Sequence, residues 1–342
     1  MSGPLLKVEN LTKHYSIGAG FLKRAVLVRA VEDLSFSVEP SETFCIVGES
    51  GCGKSTVARL LMRLVEPTAG RVMIEGTDIA GLSKDSLRAW RRRMQMVFQD
   101  PYSSLNPRLN VAQIITEPVE NFERLNRSQR QSLAAELLRK VGMSPEMMER
   151  LPSELSGGQR QRLGIARALA LQPSVIIADE AVSALDVSVQ AQILNLLMDL
   201  QDQMGIAFVF ISHDLSVVEH IAHRVAVMYL GRIVELAQCE VLFAKPVHPY
   251  TEALIAAAPV PDPTRARPDV LVEGEVPSPI NPPSGCAFHP RCPLAVGRCR
   301  IEVPPLVPMA DGRVVACHVR APATDVPAWP VAAANAPLTG VV

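Results

Sequence analysis

Thr43-Phe44-Cys45-Ile46-Val47-Gly48-Glu49-Ser50-Gly51-Cys52-Gly53-Lys54-Ser55-Thr56 decides how the rest of this 342-residue chain is read. The first five residues are an apolar run of strand length, and the segment from Gly48 onward satisfies G-x-x-x-x-G-K-[ST] at the head of a helical pattern over 54–65. In that setting the glycines let the backbone wrap closely around a phosphate chain, while the helix start turns N–H groups and a positive dipole end toward the anion. Lys54 then places a point charge at the β and γ phosphates, and the Ser55 hydroxyl is a Mg²⁺ ligand. Gly48, Glu49, Ser50, Gly51, Cys52, Gly53, Lys54, Ser55 and Thr56 are therefore the expected phosphate-loop residues, with Cys52 at a variable position and without a separate role. The alternative, a plain glycine-rich turn, sits poorly behind so apolar a strand.

Working outward, Ser174–Asp179, Ala207–Ser212 and Arg224–Tyr229 also read as buried strands, with helical patterns over 187–203 and 215–222 between them. That alternation predicts an α/β fold with a mostly parallel sheet covered on both faces. Between Met94 and Pro173 the pattern turns helical, at 128–141 and 158–171, around a proline-containing loop at Pro101–Pro107; a helical subdomain is expected over about 90–172. Asp179 and Glu180 close the strand 174–179 at its carboxyl end, the edge where open α/β sheets bind ligands. Asp179 there can hold Mg²⁺ through water, and Glu180 can orient or deprotonate an attacking water. Without the phosphate loop the same two acids would read as a solvated strand end.

The 34 Lys+Arg and 35 Asp+Glu give a net charge of −1, so no general attraction to nucleic acid or anionic lipid is expected. At 48% apolar and 20% charged residues the chain can build sizeable cores and is no disordered polymer. No stretch of about 18 residues lacks charge, so no membrane span is expected. The start, MSGPLLKVENLTKHY, lacks a secretory pattern, which places the chain in the cytoplasm and makes disulfides unexpected. Nine of the 28 prolines fall in residues 1–245 and 19 beyond, marking a boundary near Lys245. Ten of them lie in 246–283, which should form extended connections. The segment 324–342 reads as a tail.

Leu155-Ser156-Gly157-Gly158-Gln159-Arg160 precedes an amphipathic helix and offers a second anion-facing element. With LSGGQ placed between the phosphate loop and the acidic strand, the sequence resembles the ATP-binding cassette (ABC) ATPases over residues 5–245. The resemblance implies a P-loop, RecA-like core with an antiparallel β subdomain, the inserted helical subdomain, and ATP and Mg²⁺ as ligands. It also implies residue roles: Tyr15 stacks on adenine, Gln99 links the nucleotide and its Mg²⁺ to the transport subunits, Asp186 makes a dimer contact, and His213 contacts the γ-phosphate. Glu180, His213 and Lys54 would be the catalytic set, and Mg²⁺ would be held by Ser55, Gln99 and Asp179. In such proteins Ser156, Gly157, Gly158 and Gln159 complete the ATP site of a second cassette, so the chain should act as a homo- or heterodimer and hydrolyse ATP.

Phe98-Gln99-Asp100-Pro101-Tyr102-Ser103-Ser104-Leu105-Asn106-Pro107-Arg108, the segment Ala181–Gln192 and His248-Pro249-Tyr250-Thr251 are similar to the oligopeptide, dipeptide and nickel importer branch, to about Arg320. That implies two transmembrane permease subunits, an extracytoplasmic solute-binding protein, and a peripheral place on the cytoplasmic face of the inner membrane. Di- or oligopeptides are the expected solutes, with nickel or another solute as alternatives. Physically, the prolines, Tyr102 and Leu105 offer a rigid, partly apolar socket for a transporter helix. The rival, a soluble cassette ATPase acting on DNA or ribosomes, would be expected to show coiled coils or a broad basic footprint.

Cys286, Cys292, Cys299 and Cys317 crowd a short stretch, whereas Cys45, Cys52 and Cys239 are scattered. The spacings do not match common zinc pairs, though four thiolates suit zinc or a [4Fe–4S] cluster, and His289 and His318 are alternative ligands. Similarity to cluster-carrying members of the peptide branch favours iron–sulfur, with zinc and free thiols left open.

Overall fold

The computed structural model describes residues 3–18, 26–258 and 274–322. The tail 324–342 and the prolines between 259 and 268 lie outside the described residues. In chain order the strands are β1 (Leu6–Ile17), β2 (Val26–Val38), β3 (Thr43–Val47), β4 (Ala69–Ile74), β5 (Thr77–Asp78), β6 (Met94–Val97), β7 (Val175–Asp179), β8 (Ala207–Ser212), β9 (Arg224–Tyr229), β10 (Arg232–Gln238), β11 (Val307–Pro308) and β12 (Val314–Val315). The helices are α1 (Lys54–Leu61), α2 (Lys84–Trp90), α3 (Pro101–Ser104), α4 (Val111–Glu120), α5 (Arg127–Lys140), α6 (Gly157–Leu169), α7 (Val187–Met204), α8 (Leu215–Ile221), α9 (Cys239–Ala244) and α10 (Pro249–Ala256). They divide into two compact units, one of residues 1–38, 44–80 and 212–342, the other of 39–43 and 81–211.

The first unit holds an antiparallel sheet in the order β2-β1-β4-β5 and the strand succession β11-β12-β10-β9-β3. β3 pairs parallel to β9, with Phe44 opposite Arg224 and Val47 opposite Val227. All five residues of β3 are buried, which is what a continuous apolar run means in a parallel strand covered on both faces. β9, β10, β12 and β11 continue antiparallel. The second unit holds the parallel strands β6, β7 and β8, in that spatial order. Helices α4, α5 and α6 pack on one another there. Each is started by a capping box, Asn110 with Gln113, Asn126 with Gln129, and Ser156 with Gln159. α7 stops at Gly205, whose φ of 67° closes the helix in the left-handed region.

Two expectations change. The segment after Lys245 is not only extended: α10 begins at Pro249, and proline is tolerated in a first turn, where its missing N–H has no partner to lose. The loop at Pro101–Pro107 likewise contains α3, started by Asp100, which accepts from the Tyr102 N–H at 2.8 Å.

The extension also has more core than its prolines suggest. Val307, Val315, Cys317 and Ala321 form a small cluster. β12 pairs with β10, Val315 opposite Glu235. Fully buried Glu235 accepts from Arg313 Nη1 at 3.0 Å and from the backbone N–H groups of Val247 and His248 at 3.0 and 2.8 Å. A buried carboxylate so paired ties the extension to the sheet, and it belongs to the same compact unit as the phosphate loop.

Candidate functional site

The phosphate loop joins buried β3 to α1. Gly53 has φ 108°, and a Cβ there would collide with the Ala30 carbonyl; one on Gly48 would strike the Met228 carbonyl. A Cβ on Gly51, by contrast, would meet open space. The loop is held from beneath by the Gly231 N–H donating to the Cys52 carbonyl at 2.9 Å. Lys54, 5% exposed, folds back over the loop, its Nζ donating to the carbonyls of Gly48 and Glu49 at 2.7 and 3.0 Å. A buried ammonium satisfied by backbone carbonyls can turn to an incoming phosphate, and no side chain caps α1 at Gly53. Ser55 and Thr56 come next, in the first turn of α1. Cys52 is buried, and burial raises its thiol above the usual range, against the pull of Lys54, so it is a poor nucleophile. The loop therefore fits a magnesium nucleotide: glycines without room for a Cβ at 48 and 53, the Lys54 amine and the Ser55 hydroxyl stand in one strand-loop-helix.

In the same unit Tyr15 lies in β1 opposite Val28, with Lys13 Nζ 5.0 Å from the centre of its ring. His213 is exposed just beyond β8, and Asp214 after it caps α8.

In the other unit, Asp179 is buried at the end of β7. Glu180 comes after it with φ 48°, a left-handed conformation unusual for a non-glycine residue. It is pinned by its N–H donating to the Ile211 carbonyl at 3.0 Å, and its carboxylate accepts from Gln99 Nε2 at 2.8 Å. Gln99 itself stands just past the end of β6. Ser156 is exposed, and its hydroxyl accepts from the Gln159 N–H at 3.3 Å as the cap of α6. A Cβ on Gly158 would press on Val189 Cγ1 at 2.6 Å, and one on Gly157 would touch Leu185. Asp186 is exposed at the start of α7 and makes no side-chain cap bond. The expected socket changes in composition: Leu105 is 3% exposed and belongs to the core, whereas Tyr102 is 63% exposed and Phe98 40%. Arg160 sits 4.3 Å over the Tyr102 ring.

The four clustered cysteines are all free thiols. The Cys286 N–H donates to the Cys299 carbonyl at 2.8 Å. Burial pushes the Cys286 thiol up to about 11, with Cys299, Cys292 and Cys317 adding to the rise. Cys292 is raised mainly by burial, again with contributions from Cys317 and Cys299. The four sulfurs thus lie within electrostatic reach of one another, although among the described residues no three His, Cys, Asp or Glu side chains are arranged to hold a single metal ion. A ring nitrogen of His289 and one of His318 are each paired with a backbone carbonyl, of Cys286 and of Glu302, at 3.0 Å.

Sequence reasoning missed three residues beside the loop. Tyr250 and Arg291 both reach Glu49, and Tyr229 packs between them. Only Tyr250 carried a signal, in His248-Pro249-Tyr250-Thr251.

A family model described as ABC transporter matches residues 31–183, and one described as oligopeptide/dipeptide transporter, C-terminal region, matches 234–299. The chain belongs to the ABC transporter family, as an ATP-hydrolysing ATP-binding subunit. Within that family it is 77% identical, over 100% of its length and 97% of the relative's, to the "Probable peptide ABC transporter ATP-binding protein y4tS" of Sinorhizobium fredii. It is 50% identical, over 92% of this chain and 97% of the relative, to the "Di/tripeptide transport ATP-binding protein DppF" of Pseudomonas aeruginosa. Among solved structures, the dimeric post-hydrolysis ATP-binding cassette MJ0796 bound to ADP and Pi matches with a TM-score of 0.61 and 30% identity, covering 68% of this chain and 98% of that one. ATP-binding subunits of this class work with transmembrane permease subunits. No helix among the described residues is long and apolar enough to cross a membrane.

Proposed function

We propose that the chain powers an importer of di- or oligopeptides, from the cytoplasmic face of the inner membrane, by pairing with a second cassette when ATP binds and separating after hydrolysis. The observation that carries this reading is the presence, in one compact unit, of the phosphate loop and of an extension matched by the peptide-transporter C-terminal model. A solute-binding protein outside the membrane would select the cargo, which the ATPase itself never touches.

In this reading Tyr15 stacks on adenine, the loop from Gly48 to Thr56 wraps the phosphates, and Lys54 supplies charge to the β and γ phosphates. Mg²⁺, when bound, neutralises charge that develops on the phosphates. By family resemblance Ser55, Gln99 and Asp179 would hold it. Glu180 orients the attacking water and takes its proton, while His213 senses the γ-phosphate. Exposed Ser156 and Gly157, with half-buried Gly158 and Gln159, act on the nucleotide of the partner cassette, with Asp186 at the contact. Tyr102 and Phe98 form the apolar face offered to a permease helix.

Cys286, Cys292, Cys299 and Cys317 are proposed to hold a [4Fe–4S] cluster, which would serve as a structural cross-link rather than a redox centre. What supports it is the crowding of four free thiols into one stretch of the extension, where Cys299, Cys292 and Cys317 each add to the rise of the Cys286 thiol. Anaerobically purified protein should carry about four irons per chain and visible absorbance; its absence defeats this part alone.

The test of the whole is Glu180→Gln. It should abolish turnover yet leave ATP-driven pairing intact, and normal hydrolysis by that variant would overturn the assignment of roles. A strain lacking the chain should lose uptake of short peptides through the cognate permease.

A further inference from the structure

Glu49 places a carboxylate within the phosphate-binding loop, beside the expected position of a polyanion. In isolation that charge would repel the nucleotide. The extension removes the problem. Arg291, its side chain 8% exposed, grips Glu49 with a two-pronged ion pair, Nη1 to Oε2 at 2.9 Å and Nη2 to Oε1 at 3.1 Å, across 242 residues of sequence. The backbone N–H of Glu49 donates to the Tyr250 hydroxyl at 2.9 Å. Tyr250 is 2% exposed and burial pushes its phenol far up, so it remains neutral. Its ring packs on Tyr229 at 4.6 Å and Phe288 at 5.5 Å, and Tyr229 meets Phe288 edge to face at 5.3 Å. Arg291 lies over this aromatic cluster. The Glu49 carbonyl in turn accepts from Lys54. One loop residue is thus held at its N–H and at its carboxylate by the extension, while its carbonyl holds the lysine.

We propose that Arg291 and Tyr250 are positioning residues of the phosphate loop: the C-terminal extension neutralises Glu49 and fixes its peptide, so that affinity for nucleotide phosphates depends on the extension. The proposal rests on the reading of the loop as the ATP site, and neither residue touches substrate. Arg291→Ala leaves an unpaired carboxylate on the phosphate loop and removes one of the two extension contacts that hold Glu49. The loss should grow with the number of phosphates and shrink as salt screens the repulsion.

The experiment measures MgATP, MgADP and AMP binding by calorimetry on the full chain and on Arg291→Ala, Arg291→Lys, Glu49→Gln and Glu49→Gln/Arg291→Ala, with the thermal midpoint of each. Arg291→Ala should weaken MgATP binding about tenfold and AMP binding much less, as expected for losing a charge partner beside a polyanion. Arg291→Lys should recover part of the loss, and the double variant should bind within about threefold of Glu49→Gln, because no bare charge remains. Unchanged MgATP affinity in folded Arg291→Ala, or a double variant as weak as Arg291→Ala, overturns the proposal. Should Arg291→Ala fail to fold, Tyr250→Phe decides: it keeps the packing and removes the acceptor, and should raise KM for ATP about threefold with kcat nearly constant. An unchanged KM overturns the proposal. No ATP binding by the unaltered chain would instead defeat the ATP reading itself.

Discussion

Gln99 donates from Nε2 to the Glu180 carboxylate at 2.8 Å, so the two residues proposed for metal linkage and for the attacking water hold each other directly. Glu180 is further fixed by its left-handed backbone, at φ 48°, and by its N–H bond to Ile211. A base so restrained depends on its neighbour for aim. Gln99→Ala should therefore lower kcat about tenfold to a hundredfold while KM for ATP moves little. Steady-state ATPase assays check it, and a change confined to KM would place Gln99 in ground-state binding instead.

The Glu235–Arg313 pair predicts a stability effect. Arg313→Met leaves a fully buried carboxylate without its charge partner and should destabilise the unit by about 3–5 kcal/mol. Since two units need not melt together, limited proteolysis is the better readout: cleavage near Lys245 should become rapid. Changing Glu235 as well, in Glu235→Gln/Arg313→Met, should restore part of the resistance.

Acid should loosen the same region. Burial first, and the Arg320 charge second, lower His248 from 6.5 to about 3. Its Nδ1 accepts from the Tyr250 N–H at 3.1 Å, which needs the neutral ring, and its own backbone N–H donates to Glu235. Between about 6.5 and 3 the unfolded chain therefore carries a proton that the folded chain refuses, and stability falls as pH falls, by about 1.4 kcal/mol per pH unit well below 6.5. His248→Asn keeps a capping acceptor without a titrating ring. Its thermal midpoint should drop less between pH 7 and pH 5 than that of the parent chain; equal drops would remove His248 as the cause.

Ser156 separates a local duty from a remote one. As the cap of α6, its loss in Ser156→Ala should cost about 1 kcal/mol, a small change in midpoint. If the exposed hydroxyl also serves the nucleotide of a partner cassette, turnover should fall about a hundredfold or more, far beyond what the missing cap explains. Parallel melting and ATPase measurements distinguish the two.

Much of this was legible in the residues. β3, β7, β8 and β9 declare themselves because a parallel strand buried on both faces is one unbroken apolar run. The antiparallel sheet came from family resemblance instead, since β1 carries register shifts and a positive φ at Asn10 that blur its alternation. Counting prolines misread the extension: Pro249 begins a helix, and the small core around Val315 is assembled from short pieces with no period to detect. Leu105 and Tyr102 are three positions apart in one loop, and only packing shows that the first is core and the second surface. The contact between Arg291 and Glu49 spans 242 residues, with nothing local in either segment to announce it.

The staple at Glu235 bears on how the protein can be dissected. A shortened version ending at Lys245, the natural choice for anyone wanting a minimal catalytic fragment, would delete β12 and Arg313 together. It would bare one margin of β10 to stray pairing and strand an anion in an oily interior. Such fragments should aggregate on expression, and their inactivity would say nothing about nucleotide chemistry.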